Sequence, residues 1–251
     1  MHILAFDTAW FLQPNQSFHV IRNLINKGYS KARKKYNVIT SPRILSPETV
    51  LRDLGISANG DSVFIMYLLM DEDLKHGKRD FANEDLDSSF NCDVPFKQLQ
   101  FADVAVEYVA SDFHLVEDTL DSCIATLAFA SMDNEPNAFE LTCVASFMPT
   151  MGYRFLNYVL NEQVLPLEML NRGRAQKENQ EENNGKLVII ADCVVEHELV
   201  SYYEQKCKFA KVDQVLIRAD DEMNLDPDVW WSSVRDFHLA RVRRTILVRA
   251  K

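Results

Sequence analysis

The segment from Phe139 to Leu160 contains the residues best placed to bind a phosphate group. An apolar strand, a turn with the single glycine Gly152 and an amphipathic helix follow one another directly. The start of a helix leaves several backbone N–H groups unpaired and pointing in one direction, and the helix dipole adds positive potential there. Phosphate and pyrophosphate groups bind at such junctions. The sequence therefore predicts an anion site at the Phe147–Arg154 turn.

A second strand–helix pair follows this junction. Leu187–Ala191 is predicted to be an apolar strand, and Glu198–Phe209 a helix that carries Tyr202 and Tyr203. Before the junction, the pattern predicts a first strand, a helix over Phe18–Tyr36 that Ser17 caps, and a short capped helix over Ser46–Gly55. The remaining predicted strands are residues 62–70, 102–110, 122–130, 139–147, 210–217 and 237–248. The strands at 122–130 and 139–147 are expected to form a hairpin.

The composition is that of a soluble globular protein. The chain has 251 residues, of which 47% are hydrophobic and 25% charged, which suits one domain with polar insertions at about 71–100 and 171–185. We expect the second insertion, Asn171–Gly185, to be disordered or mobile because it is poor in hydrophobic residues. A formal net charge of −10 disfavours nucleic acid as a partner. The same charge would attract a cationic substrate, or it serves solubility alone.

The cysteines predict an intracellular protein. The chain has five cysteines, an odd number without a C-x-x-C pair, so they are read as buried reduced thiols and not as a disulfide or zinc framework. The N-terminus lacks the features of a signal peptide, and no apolar run approaches the roughly 20 residues of a membrane helix. We expect a cytoplasmic or nuclear protein with no membrane partner.

The common motifs of nucleotide and hydrolase sites are absent from the sequence. It contains neither a phosphate loop of the G-x-x-x-x-G-K-[ST] type nor a G-x-G-x-x-G dinucleotide fingerprint. It also lacks a G-x-S-x-G nucleophile elbow, and His197-Glu198 is not followed by the second histidine of a zincin. The six histidines are scattered and predict no metal site.

Two segments carry a resemblance to a known family. One reads Phe147-Met-Pro-Thr-Met-Gly-Tyr-Arg-Phe-Leu156 and follows a strand that begins near Glu140-Leu141; the other reads Tyr202-Tyr-Glu-Gln-Lys-Cys-Lys-Phe209. Together with the order of elements, they resemble the GNAT superfamily of N-acetyltransferases, in a fungal-type form with a degenerate acetyl-CoA motif. The resemblance implies an α/β (α+β) fold, in which a mixed, mostly antiparallel central sheet is flanked by helices.

The resemblance also implies a reaction and its residues. Acetyl-CoA would be the co-substrate, no metal would be needed, and an amine acceptor, either a small molecule or a protein lysine or N-terminus, would attack the thioester directly. Glu140 would be the base, acting through water, and Tyr203 the proton donor to the leaving thiolate, with Tyr202 as the second choice. The cofactor-binding residues would be Val144, Ala145, Phe147, Thr150, Met151, Gly152, Tyr153 and Arg154. A homodimer is the expected assembly.

Other interpretations of the same residues stay open at this point. Glu140 could be a surface residue at a strand start, Tyr203 a core residue and Arg154 a solvated helix residue. Gly152 is the glycine that survives in the turn; either Thr150 or Arg154 replaces the first glycine of the family pattern, depending on the alignment frame. The missing glycines favour a catalytically degenerate protein that binds acetyl-CoA, CoA or a protein partner as a sensor or interaction module. A third interpretation is an unrelated α/β domain.

Overall fold

A computed structural model describes residues 1–14, 17–72, 101, 104–132, 135–175, 185–219 and 233–249. The strands are β1 His2–Asp7, β2 Phe64–Met70, β3 Ala105–Tyr108, β4 Cys123–Met132, β5 Glu135–Ser146, β6 Lys186–Val194, β7 Ala210–Ile217 and β8 Phe237–Leu247. The helices are α1 Thr8–Phe11, α2 Phe18–Tyr36, α3 Val50–Asp53, α4 Met151–Asn161, α5 Leu167–Ala175 and α6 Leu199–Cys207. Short 3-10 turns cover Pro47–Thr49, Glu117–Ser122 and Val195–His197.

The eight strands form one sheet in the order β3-β1-β2-β4-β5-β6-β8-β7. The pairs β1–β2, β2–β4, β4–β5, β6–β8 and β8–β7 are antiparallel. The pairs β1–β3 and β5–β6 are parallel. The predicted fold class, a mixed and mostly antiparallel central sheet flanked by helices, is therefore confirmed. The expected β4–β5 hairpin and the final antiparallel pair, β7 and β8, are present as well.

The predicted bounds of α2 are confirmed, but its predicted cap is wrong. Ser17 makes no side-chain capping hydrogen bond, because its backbone already has helical angles instead of the extended angles of a capping residue. At the other end Asn37 adopts φ +48°, a left-handed conformation that asparagine tolerates. The helix packs its apolar face on β5, and this contact positions one wall of the site.

One prediction near α4 and α5 needs correction. Helix α4 ends at Asn161, and Leu167 begins α5 with 58% of its surface exposed. The expected disorder of Asn171–Gly185 is wrong for residues 171–175, which are helical because Met169 and Leu170 anchor α5 in the core. Residues 176–184 lie outside the described residues, as do residues 73–100 of the first insertion and Cys92.

The four cysteines within the described ranges are buried and free, as predicted for reduced thiols. They are Cys123, Cys143, Cys193 and Cys207. None of the helices that the structure describes combines the length and apolar character needed to cross a bilayer.

Candidate functional site

Strands β5 and β6 separate in the middle of the sheet. Their parallel pairing covers three residue pairs, Ala138–Val188, Phe139–Ile189 and Glu140–Ile190. Beyond them β5 continues to Ser146 and β6 to Val194 without pairing to each other. Each strand keeps its other neighbour, β4 or β8, so the separation exposes one backbone edge of each strand to the gap. Such edges offer unpaired N–H and C=O groups to a ligand.

A bulge in β5 accompanies the separation. Cys143 has φ +53°, and the β4–β5 register shifts between Thr126 and Ala128. The Thr126 hydroxyl donates a 2.6 Å hydrogen bond to the Cys143 carbonyl and so satisfies the displaced backbone. Because a bulge inserts one extra residue, it reverses the alternation of side chains along the strand. Ala145 thereby faces α2, and a Cβ built on Gly28 would lie 2.3 Å from the Ala145 Cβ.

A cavity of about 420 Å³ opens over the gap. Its walls are α2, the segment at residues 39–45, both separated strands and α6. The residues from the helices and loops are Gly28, Tyr29, Lys31, Ala32, Arg33, Ile39, Ser41, Pro42, Arg43, Leu45, Asp53, Gly152, His197, Leu199, Tyr202 and Tyr203. Those from the strands are Glu140, Leu141, Thr142, Val144, Ala145, Ser146, Asp192, Cys193, Val194 and Leu239. The size suits a small molecule or one end of a longer ligand.

The predicted phosphate turn lies at one side of this cavity. Helix α4 begins at Met151, one residue before Gly152, after Thr150 with φ +68°. Of the eight predicted cofactor residues, three contribute to the cavity wall: Val144, Ala145 and Gly152. The side chains of Phe147 and Met151 are buried in the core, and Thr150 is exposed; Tyr153 and Arg154 lie on α4 outside the wall.

Tyr202 occupies part of the α4 N-terminus. Its hydroxyl accepts a hydrogen bond from the backbone of Tyr153, and it lies 3.1 Å from the point where a Cβ on Gly152 would be. Gly152 is therefore needed for the close approach of Tyr202. Pro149 in the same turn has no N–H to donate. The junction thus offers a phosphate group fewer free donors than the sequence pattern suggests.

Tyr203 lies deeper in the cavity, and its neighbours differ from those of Tyr202. It is 7% exposed, packs edge-on against Phe209 and contributes to the cavity wall. Within the described part of the chain its hydroxyl has no hydrogen-bond partner. Burial raises the pKa of Tyr203 well above its usual value, so the hydroxyl stays protonated at neutral pH.

Glu140 stands at the point where the two strands separate. Its side chain is open to the cavity, yet the surrounding walls desolvate it enough to raise its pKa. Arg43 and Arg241 act in the opposite direction, and Asp192 adds to the increase. The carboxylate of Asp192 is held by Arg241 through bonds of 2.9 and 2.8 Å. A carboxyl group with a raised pKa is a stronger base than an exposed one.

Arg43 is the central cation of the cavity. Its guanidinium donates to the Asp53 carbonyl at 2.6 Å, to the Thr142 hydroxyl at 3.3 Å and to the hydroxyl of Tyr29. Burial alone would lower the pKa of Arg43, but Tyr29, Cys143 and nearby carboxyl groups raise it overall. Burial also raises the pKa of Tyr29 to about 12 and that of Cys143 to about 11, so both neighbours are neutral.

Sequence reasoning missed Arg43 and Tyr29. Tyr29 could have been found, because it follows Ile25 by four residues and precedes Ala32 by three, a spacing that puts it on the inner face of α2. Arg43 lies in the irregular segment Ser41-Pro-Arg-Ile-Leu45, which has no helix or strand pattern from which its position could be predicted. Asn26 anchors that segment by a reciprocal pair of 2.9 Å hydrogen bonds to the backbone of Ile44. Among the described residues, His, Cys, Asp and Glu form no group of three or more placed to hold a metal.

The sequence matches a family and a relative from yeast. The profile of the family described as "Sporulation protein RMD6" matches residues 1–246. The sporulation protein RMD6 of Saccharomyces cerevisiae strain S288c is 24% identical over 220 residues, which cover 87% of this chain and 83% of that protein.

Solved structures that the chain matches include spermidine N-acetyltransferases from Vibrio cholerae, one of them named SpeG. A point mutant of SpeG aligns with 97% of this chain and 94% of its own, with a TM-score of 0.43 and 10% identity. The complex of a Vibrio cholerae spermidine N-acetyltransferase with CoA and spermine aligns with 92% of this chain and 90% of its own, with a TM-score of 0.39 and 11% identity.

Proposed function

The chain belongs to the RMD6 sporulation protein family, and we propose that it transfers an acetyl group from acetyl-CoA to an amine acceptor. The observation that carries this proposal is the gap between the parallel strands β5 and β6. There, unpaired backbone edges, the carboxyl group of Glu140 and the hydroxyl of Tyr203 meet in one cavity. The resemblance of the sequence to GNAT acetyltransferases supports the same interpretation.

The cavity fits the thioester end of acetyl-CoA. The pantetheine arm is an extended chain of amides, which the exposed strand edges of Val144–Ser146 and Asp192–Val194 would bind as a neighbouring strand does. The pyrophosphate would lie toward the N-terminus of α4, where Gly152 admits close approach. Because Tyr202 already accepts from Tyr153, that part of the ligand would have to share or displace its hydroxyl.

Each residue has a defined part in the transfer. Glu140 takes a proton from the acceptor ammonium through water, and its raised pKa suits it to that task. The free amine then attacks the thioester carbonyl, so that a C–N bond forms and the C–S bond breaks. The departing CoA sulfur carries the electron pair and receives a proton, while the attacking nitrogen loses its extra proton, which returns through water to the group that protonated the sulfur. Tyr203, protonated and without a protein hydrogen-bond partner in the described residues, is placed to donate the proton to the sulfur.

A second function is supported by the N-terminus of α4. The hydroxyl of Tyr202 already accepts from one backbone N–H there, and Pro149 has no N–H to offer. Thr150 adopts a left-handed conformation. These features weaken a phosphate site and favour a protein that binds acetyl-CoA, CoA or a protein partner without catalysis. The acceptor identity, a cytoplasmic or nuclear location and a homodimeric assembly stay predictions from the sequence.

Ligand binding is the first test of the proposal. Acetyl-CoA or CoA at 100 times its dissociation constant should stabilise the fold by about 2.7 kcal/mol, which thermal unfolding detects as a higher Tm. No shift at millimolar CoA would contradict both the transferase and the CoA-sensor functions. Binding without transfer to any amine in a broad acceptor panel would favour the sensor.

The second test separates the two adjacent tyrosines. Tyr203→Phe removes one oxygen and little packing, so turnover should fall by about 10²–10⁴-fold while CoA affinity stays close to wild type. Tyr202→Phe is the matched control: its hydroxyl is bonded to Tyr153 and Cys207, so turnover should change much less. Wild-type turnover in Tyr203→Phe would show that another group protonates the sulfur.

A further inference from the structure

Arg43 has donors in the cavity that the protein does not use. A guanidinium has five N–H groups; the Asp53 carbonyl and the Thr142 hydroxyl accept from two of them and Tyr29 from at most one more, which leaves two. No carboxylate of the described residues forms a salt bridge with Arg43. The nearby carboxylate of Asp53 is engaged elsewhere, since it accepts from Leu45 N–H at 2.9 Å, Thr49 at 2.6 Å and Arg52 at 2.9 Å.

The immediate neighbours of this cation are neutral. Thr142 cannot ionise, and burial raises the pKa of Tyr29 to about 12 and that of Cys143 to about 11. The carboxyl groups of Glu140 and Asp53 act on Arg43 without direct ion pairing in the described residues, so an incoming anion in contact with the guanidinium would stabilise its buried charge further. Two parallel N–H groups of a guanidinium match the two oxygens of a carboxylate, which is the geometry of a bidentate pair.

Negative charge lies in the same cavity. Glu140 forms no ion pair within the described ranges, and Asp192, held by Arg241, stands beside it. Glu140 and Thr142, which accepts from Arg43, both line the cavity and are two residues apart on β5, so their Cα atoms are about 7 Å apart. One small molecule with an ammonium group at Glu140 and a carboxylate at Arg43 spans that distance.

The rest of the wall is mostly apolar, with Ile39, Leu141, Val194, Leu199 and Leu239, although Lys31, Arg33, Ser41 and His197 also contribute to it. We infer that the acceptor of the proposed transfer is an amino acid with an apolar side chain, whose carboxylate binds Arg43 and whose amino group faces Glu140. The inference depends on the proposed function only where it calls the bound amino acid the acceptor. The binding site itself can be tested without acetyl-CoA.

The experiment compares amino acids with the amines that lack only the carboxylate. The probes are L-leucine against 3-methylbutylamine and L-phenylalanine against phenethylamine, titrated by calorimetry into the full chain without acetyl-CoA. A charge-assisted pair predicts that each amino acid binds about 10- to 100-fold more tightly than its amine. Equal affinities of acid and amine would overturn the inference.

Substitutions test whether Arg43 causes the preference for amino acids over the matching amines. Arg43→Lys keeps the charge but loses the planar fork, so the ratio of acid to amine affinity should fall by about 10-fold or more. Arg22→Lys is the matched control, because Arg22 donates to the carbonyl of the wall residue Leu45 but does not itself line the cavity, so this variant should keep the wild-type ratio. An unchanged ratio in Arg43→Lys would overturn the assignment, as would a loss of CoA binding without a change in the ratio.

Folding and function remain separable in this design. If Arg43→Lys does not fold, Thr142→Val removes one anchor of the guanidinium and should lower the same ratio; a wild-type ratio there, in folded protein, would count against the site. If the wild-type ratio is high but acetyl-CoA neither binds nor reacts, the amino-acid site stands and the proposed transferase function fails.

Discussion

Gly28 permits a close contact between α2 and the separated strand β5, and its substitution tests that contact. A Cβ on residue 28 would lie 2.3 Å from the Ala145 Cβ. This is at least about 1 Å short of the roughly 3.5–4.0 Å at which carbon atoms pack. Both atoms belong to stiff backbone-attached groups, so a side-chain rotation cannot relieve the clash. Helix and strand must move apart in Gly28→Ala.

Two opposing free energies decide the result. Alanine is favoured over glycine in a helix interior by about 1 kcal/mol, and Gly28 lies in the middle of α2. Overpacking a close contact costs about 1–3 kcal/mol. We expect a net loss of about 1 kcal/mol in the free energy of unfolding, or about 2–4 °C in Tm for a chain of this size. Urea unfolding monitored by circular dichroism measures it.

A double-mutant cycle supplies the control. Ala145→Gly removes the opposing methyl group and should cost about 0.5–1 kcal/mol by itself. In that background Gly28→Ala meets no clash, so the helix propensity should appear as a gain of up to about 1 kcal/mol. The close approach of α2 and β5 would be refuted if Gly28→Ala stabilised the wild-type chain, or if the two substitutions were additive.

Two further predictions concern the segment that carries Arg43 and the buried histidine of the cavity wall. Asn26→Ala leaves the N–H and C=O groups of Ile44 unpaired in the core and should cost about 2–4 kcal/mol in urea unfolding, whereas Asn23→Ala on the exposed side of α2 should cost less than about 0.5 kcal/mol. Burial lowers the pKa of His197, so the folded state binds a proton less readily than the unfolded chain. Its contribution to stability is present above the ordinary histidine pKa of about 6.5 and is lost as the pH falls below it. His197→Gln should flatten the rise in Tm between about pH 5 and 7 that this linkage predicts; an unchanged slope would show that other groups cause it.

The sequence alone determined most of the secondary structure, because those signals are local. The apolar period of α2 predicted its bounds, and the short apolar runs predicted seven of the strand positions to within a few residues. The hairpin of β4 and β5 followed from two such runs around a tight turn. Composition alone predicted disorder for Asn171–Gly185 and missed the helical residues 171–175. These residues are helical because Met169 and Leu170 anchor α5 through tertiary contacts.

The candidate site depended on contacts that no local pattern contains. Arg43 and Glu140 lie far apart in the chain, and their proximity in one cavity follows from the packing of α2 on β5. The separation of β5 from β6 has no sequence signature either, because both strands continue as apolar runs past their last pair.

Tyr202 and Tyr203 show the same division most clearly. Both were predicted to lie on one helix, and the sequence could not decide between them. Adjacent residues of a helix point about 100° apart, so their surroundings depend on what packs against each face. The hydroxyl of Tyr202 accepts a hydrogen bond at the α4 N-terminus, whereas Tyr203 lines the cavity. The helix was determined by the sequence, but the different environments of its two tyrosines were decided by where α4 and β5 lie in the tertiary structure.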